Sequence, residues 1–324
     1  MMRLILAAVL LFDLIGGLLD PAEPIDQTRY EAWGANVAIW WDATRAGEID
    51  MPAIVWLTED GLAHRGLPGG GRETVPVTLP ANVIGVQVGD EPAEPIQLPD
   101  LEVRAWTNFS YWAPMRFGAV DMEPTLDEIL ADYRAPRLTV SEYLLDPLRI
   151  DILRFFADHA RRVGAEFGQY LGAYPGYETD FTCSYRIDDY RWEAFTGKAF
   201  GASLHVWFAY GLDPAKHPEA TQGGPPCIED PTHWRLTRQV NRELRIVAAA
   251  VGSTMPADTL ETRDLLIGRW PDGARLVVNR HRTRTVKVET SRPGMFADGT
   301  PTPAGVVVLE PGFALVLPAR RVIR

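Results

Sequence analysis

Cysteine is scarce: the 324 residues hold two, Cys183 and Cys227. Two thiols build neither a disulfide framework nor a cysteine zinc site, and leave open a single bridge or two unrelated thiols. Positive charge is also short, with 32 Lys and Arg against 43 Asp and Glu and a formal net charge of −11. No basic excess is available to neutralise phosphates, so nucleic acid is not an expected partner. Nucleotide fingerprints are missing too. Gly69-Gly70-Gly71 precedes no clear helix and lacks a following Gly-Lys-Ser/Thr, and no cofactor is expected. His64, His217 and His233 sit in separate loops without ligand spacing, so no metal is assigned. There is no internal repeat, no low-complexity tract and no apolar run long enough to give a stable membrane span.

Aromatics, in contrast, are plentiful: ten Trp, ten Tyr and twelve Phe. Many must be core, yet aromatic faces also stack on the C–H surface of sugar rings, so a carbohydrate ligand is compatible with the composition. The length suits one large α/β domain with a small appendage.

The N-terminus has two readings. Residues 1–18 open with one arginine and run through Leu4 to Phe12 as an apolar stretch, like the core of a signal peptide. Against this stand Asp13 and the lack of a small-x-small cleavage site. The competing reading makes the segment a first barrel strand ending near Asp13 to Gly17. The first reading implies a secreted or periplasmic protein, the second a cytoplasmic one.

Buried strands are expected at Asn36–Trp41, Met51–Leu57, Val83–Val88, Glu102–Thr107, Arg137–Ser141, Glu166–Leu171 and Leu204–Phe208, as short apolar runs rich in branched residues. Helices are expected at Asp26–Trp33, Pro124–Tyr133, Asp151–Val163, Asp189–Phe200 and Trp234–Val251, several closed by glycine. The gap Ala43–Asp50 is too short for a crossover helix with its loops, and Gly61–Pro80, rich in Gly and Pro, reads as a long loop. Such alternation predicts a parallel sheet covered on both faces, here a (β/α)8 barrel over 19–258, abridged in its early crossovers. From 259 to 324 only short strands follow, with a turn at Pro271-Asp272-Gly273. A β domain of roughly sixty residues has a marginal core alone and is expected to dock on the barrel.

Val83-Ile84-Gly85-Val86-Gln87-Val88 runs into Gly89-Asp90-Glu91-Pro92. Proline stops the paired strand, which leaves Asp90 and Glu91 at its carboxyl end, where barrel enzymes gather catalytic groups. Capping of a following helix explains the same two acids equally well.

Three pieces together resemble a bacterial group of glycoside-hydrolase-like (β/α)8 proteins with a C-terminal β-sandwich. They are Gly89-Asp90-Glu91-Pro92; Arg191-Trp192-Glu193-Ala194-Phe195 leading through Ala199-Phe200-Gly201-Ala202 to Trp207-Phe208-Ala209-Tyr210; and Asn241-Arg242-Glu243-Leu244 with Pro311-Gly312-Phe313. The resemblance spans roughly Trp33 to Leu317, and each motif alone is weak. It departs from the group in its short early crossovers. Ser141-Glu142-Tyr143 also stands where relatives carry Asp before Tyr-Pro.

The resemblance implies glycosidic-bond cleavage by paired carboxylates, with Glu91 as general acid and Glu142 as nucleophile or base, at the ends of strands four and six. The commoner pairing with strand seven fails, because Gln169 to Tyr174 carries no acid. Asp42, Asp90, Asn108, Gln169 and Tyr210 are candidates to bind sugar hydroxyls, and Trp41, Tyr111, Tyr143 and Tyr174 to stack on or line the ring. Each also has an ordinary reading as rim polarity or core; for Trp207, inside a strand, core is the better one. The alternative to hydrolysis is a non-catalytic carbohydrate-binding barrel.

Overall fold

The computed structural model describes residues 13–58, 60–69, 71–90, 104–109, 137–141, 149–172, 186–218 and 227–319, without the side chains of residues 90, 104, 109, 149 and 227. Eight parallel strands close a barrel: β1 (Leu14–Asp20), β2 (Ala38–Trp40), β3 (Ala53–Leu57), β6 (Val83–Asp90), β7 (Arg104–Phe109), β8 (Arg137–Val140), β9 (Glu166–Gly172) and β10 (Ala202–Leu212). Closure comes from β1 pairing with β10 on one side and with β2 on the other. The architecture the resemblance implies, a parallel barrel followed by an antiparallel β domain, is the one observed.

Three expectations need correction. The first strand runs on to Asp20, past the expected end near Asp13 to Gly17, while residues 1–12 lie outside the described residues; Gly16 and Gly17 let it pass close to Val37 and Tyr210. A Cβ on either would lie 2.4 Å from the Val37 carbonyl oxygen or the Tyr210 Cβ. The expected loop Gly61–Pro80 contains a hairpin, β4 (Ala63–Leu67) and β5 (Gly71–Val75), continuing antiparallel from β3. Its strands are short and mostly polar, so they show no apolar run, and Gly69 at φ +84° turns the chain. Strand β10 runs on to Leu212, past the expected end at Phe208. As expected, the segment after β2 has no room for a full helix and forms a 3-10 turn, Ala43–Glu48. The helix expected at Pro124–Tyr133 lies outside the described residues.

Helices α1 (Gln27–Trp33), α2 (Arg149–Val163), α3 (Ile187–Phe200) and α4 (Pro231–Val251) cover the barrel. Asp26 caps α1 by accepting from the Arg29 N–H, and Asp230 caps α4 by accepting from those of Thr232 and His233. Each cap is worth about 1 kcal/mol. Strand phase sorts the side chains into two clusters. Leu14, Leu18, Ile39, Ile54, Trp56, Trp106, Tyr170, Leu204 and Val206 fill the barrel interior. Ile15, Leu19, Val55, Val86, Phe167, Leu171 and Trp207 face the helices.

The C-terminal sheet runs β11 (Asp258–Glu261), β12 (Leu265–Arg269), β13 (Arg275–Asn279), β18 (Ala314–Leu317), β15 (Gly294–Phe296) and β16 (Pro301–Thr302). A second sheet pairs β14 (Val286–Thr290) with β17 (Gly305–Leu309), and Val277, Val288, Val307, Leu315 and Leu317 pack between the two. This domain sits on α3, whose residues from Asp189 to Phe200, apart from Arg191, are buried. Burial on all sides explains why α3 shows no polar face in the sequence.

Two of the three resembling motifs build this joint. The Arg191 guanidinium donates to both Glu243 carboxylate oxygens, at 2.8 and 2.5 Å, and lies 4.4 Å over the Phe313 ring. Gly312, at φ +65°, lets the chain pass the Asp188 carbonyl, which a Cβ would meet at 2.3 Å. Asn241 accepts from the Trp207 indole at 2.7 Å and donates to the Trp33 carbonyl, tying β10 to α1. At the other end of the barrel, the buried Lys198 ammonium donates to Asp13 at 2.8 Å and to the Gly252 carbonyl at 2.9 Å.

Candidate active site

Parallel closure brings the carboxyl ends of all eight strands to one rim. Asp20 ends β1, fully buried. His217 approaches it at 2.8 Å, Lys216 at 3.1 Å and Arg45 at 3.4 Å. Burial alone would raise its pKa, but the hydrogen bonds and charges of His217 and Lys216 outweigh it and hold the carboxyl below its ordinary value. Asp20 is therefore a saturated anchor rather than an acid with a proton to give. The hairpin β4–β5 reaches over it: Gly66 lies against Asp20 and Lys216, and the Gly69 N–H donates to the Ala215 carbonyl at 2.6 Å.

Beneath the hairpin lies an aromatic layer. Trp41 stacks on Trp56 with centroids 4.8 Å apart, His217 meets Trp41 edge-on at 5.5 Å, and the Arg72 guanidinium lies 4.8 Å over the Trp41 ring. Burial and the Arg72 charge lower the pKa of His64, whose ring is 5.8 Å from Trp41. Trp56 meets Tyr170 edge-on at 6.3 Å, and the Tyr170 hydroxyl donates to Gln87 Oε1 at 2.9 Å. Opposite, Asn108 donates to Ser141 Oγ and accepts from Thr139 Oγ1, both at 3.2 Å. The buried layer beneath the rim is thus built of indoles, a phenol, two amides and hydroxyls, groups that offer apolar faces and polar edges.

The sequence-based candidates separate cleanly. Trp41 and Asn108 belong to this layer, though Trp41 is only 6% exposed and packs against protein. Asp42 accepts from the Thr44 N–H at 2.9 Å and the Thr44 hydroxyl at 2.6 Å, so it caps the 3-10 turn. Gln169 does not reach the mouth. It has the opposite phase to Tyr170, lies against Gly197 of α3, and its amide nitrogen is 3.3 Å from His205 Nδ1. Tyr210 likewise faces outward, packed on Tyr30 and Trp33 with centroids 4.7 and 4.8 Å away. Trp207 is core, as its place in a strand implied. Asp90 ends β6, opposite Asn108 of β7. Glu91, Tyr111, Glu142, Tyr143 and Tyr174 lie outside the described residues, as does Cys183.

Residues overlooked in the sequence are Asp20, Trp56, Gln87, Tyr170 and the pairing role of His217. Gln87 carried a readable signal, a single amide inside a branched apolar run. Among the described residues no group of three His, Cys, Asp or Glu side chains is arranged to hold a metal ion. No described helix is long and apolar enough to cross a membrane.

Fold and site together define a parallel barrel with an aromatic and amide layer beneath its rim, joined to an antiparallel β domain. No family model matches the sequence, and no curated protein does. Among solved structures it is similar to a glucosidase from Croceicoccus marinus, with a TM-score of 0.46, 10% identity and coverage of 94% of this chain and 95% of that one. It is also similar to the type III pullulan hydrolase from Thermococcus kodakarensis, with a TM-score of 0.41, 12% identity and coverage of 97% and 78%. Similarities this low carry no argument about activity, and the barrel rests on its own strand pairings.

Proposed function

We propose that the protein is a glycoside hydrolase, with Glu91 as general acid and Glu142 as nucleophile or base. One observation carries the reading. β6 and β8 are the fourth and sixth strands of a closed parallel barrel and end at Asp90 and Val140. Glu91 is the next residue after the first, and Glu142 the second residue after the other. The aromatic and amide layer beneath the rim supports a sugar as ligand. A panel of aryl glycosides and oligosaccharides, assayed with the parent, Glu91→Gln and Glu142→Gln, tests the reading. Hydrolysis of natural substrates that survives Glu91→Gln unchanged removes its main support.

A second reading, a carbohydrate-binding barrel without catalysis, is favoured by Asp20 and Asp42. These two rim carboxylates are both engaged in structural contacts. It requires a parent protein that binds sugar in calorimetry and cleaves none of the panel. The apolar run Leu4–Phe12 supports export as the setting. N-terminal sequencing that finds Met1 intact on protein from its native host counts against it.

A further inference from the structure

Among the described residues, three buried N–H donors inside the barrel, in the layer beneath its rim, have no acceptor: Gln87 Nε2, Trp56 Nε1 and Trp41 Nε1. They share one layer. Trp56 and Gln87 are register partners on β3 and β6, and Trp41 stacks on Trp56 from the end of β2. The Gln87 amide is oriented, because its oxygen receives the Tyr170 proton and its NH2 is left over. The layer therefore offers protons and few free lone pairs.

That imbalance selects among ligand groups. A sugar hydroxyl can accept here, but it brings its own proton, which needs an acceptor in turn. A carboxylate brings no proton and accepts on both oxygens. Around Trp41 and Asp20 the described side chains include the cations Arg45, Arg72 and Lys216 and the carboxylates Asp20, Asp42 and Glu48, so charge there is balanced and the selection rests on the donors.

We propose that this layer is a subsite for a carboxylate-bearing sugar ring, a uronate, whose carboxylate is held by Gln87, Trp56 and Trp41. The proposal rests on the reading of the mouth as a sugar site and names its substrate class. Trp41 and Trp56 act through their indole N–H groups, and Gln87 through an amide that Tyr170 keeps turned toward the ligand.

The test is calorimetric titration of the whole protein with sodium glucuronate, its methyl ester and glucose. Glucuronate is expected to bind at least tenfold tighter than the other two. Gln87→Glu keeps the shape but sets a carboxylate against the ligand's, and should remove that preference. Trp56→Phe deletes one N–H without adding charge and should reduce the preference several-fold, which keeps the test decisive if Gln87→Glu does not fold. Glucose or the ester binding as tightly as glucuronate, or a preference unchanged in both variants, overturns the proposal. Aryl glucuronides and aryl glucosides assayed in parallel separate it from the reading beneath. Cleavage of glucosides with no preference for glucuronides sinks the uronate subsite and leaves the hydrolase. Neither binding nor cleavage of any sugar sinks both.

Discussion

The Tyr170 hydroxyl reaches from the seventh barrel strand to Gln87 Oε1 on the fourth, a 2.9 Å hydrogen bond across the interior. Among the described residues it is the one hydrogen bond of the Gln87 side chain, and it decides which end of the amide is left without a partner. Tyr170→Phe leaves the ring packing in place and strands the amide oxygen. The expected cost is about 1–3 kcal/mol, from one unsatisfied buried acceptor. Urea unfolding measures it, and an unchanged midpoint would show that the bond does not hold the amide.

Proton transfer and nucleophilic attack respond differently to the leaving group. Glu91→Gln is expected to slow natural glycosides by roughly two to four powers of ten, the usual worth of a positioned acid. Activated aryl glycosides, whose leaving group needs little protonation, should lose less. Glu142→Gln should disable both classes, since attack is lost whatever leaves. Equal losses on both substrates in both variants would refute the division of roles.

At the domain joint, Arg191→Met leaves the Glu243 carboxylate, 3% exposed, without its guanidinium. The loss should be about 2–3 kcal/mol, below the value for a fully buried pair because Arg191 is 13% exposed. Adding Glu243→Gln should recover part of it. Chemical unfolding of the two variants settles this, and a double variant no better than the single one would contradict it.

Two histidines set a pH dependence. Burial lowers the folded-state pKa of His205, and burial with the Arg72 charge lowers that of His64. The unfolded chain therefore binds more protons than the folded one below the ordinary histidine pKa of about 6.5. Their contribution to stability is present above that pH and lost as the pH falls toward their folded values. Unfolding free energy should drop between pH 8 and pH 5.5, and less in His205→Gln relative to its own value at pH 8. A flat profile would refute this.

Much of the barrel was legible because its strands are branched apolar runs closed by turn residues. Val83 to Val88 and the glycine-closed helices before Gly34, Gly164 and Gly201 show this directly. Side-chain direction was not legible. A strand buried on both faces is apolar in both phases, so nothing in Glu166 to Gly172 says that Tyr170 faces the axis and Gln169 the helix. The same ambiguity placed Tyr210 at the mouth. The hairpin β4–β5 escaped because half-exposed strands of Gly, Arg and His carry no hydrophobic pattern. Asp20 escaped because the first strand was read too early. The motifs that resembled a family proved to be largely the joint between the domains, where close packing narrows the choice of residues.

The barrel closes between its ends in sequence: β1 lies against β10, and Asp13 meets Lys198 across 185 residues. During synthesis at about 5–20 residues per second, roughly 10–40 s pass before the eighth strand can reach the first. Through that interval the first strand lacks one of its two neighbours, and its apolar edge is open to other chains. Yield of folded protein should therefore depend on what protects the nascent chain, and slowing translation should lengthen the exposure rather than aid folding.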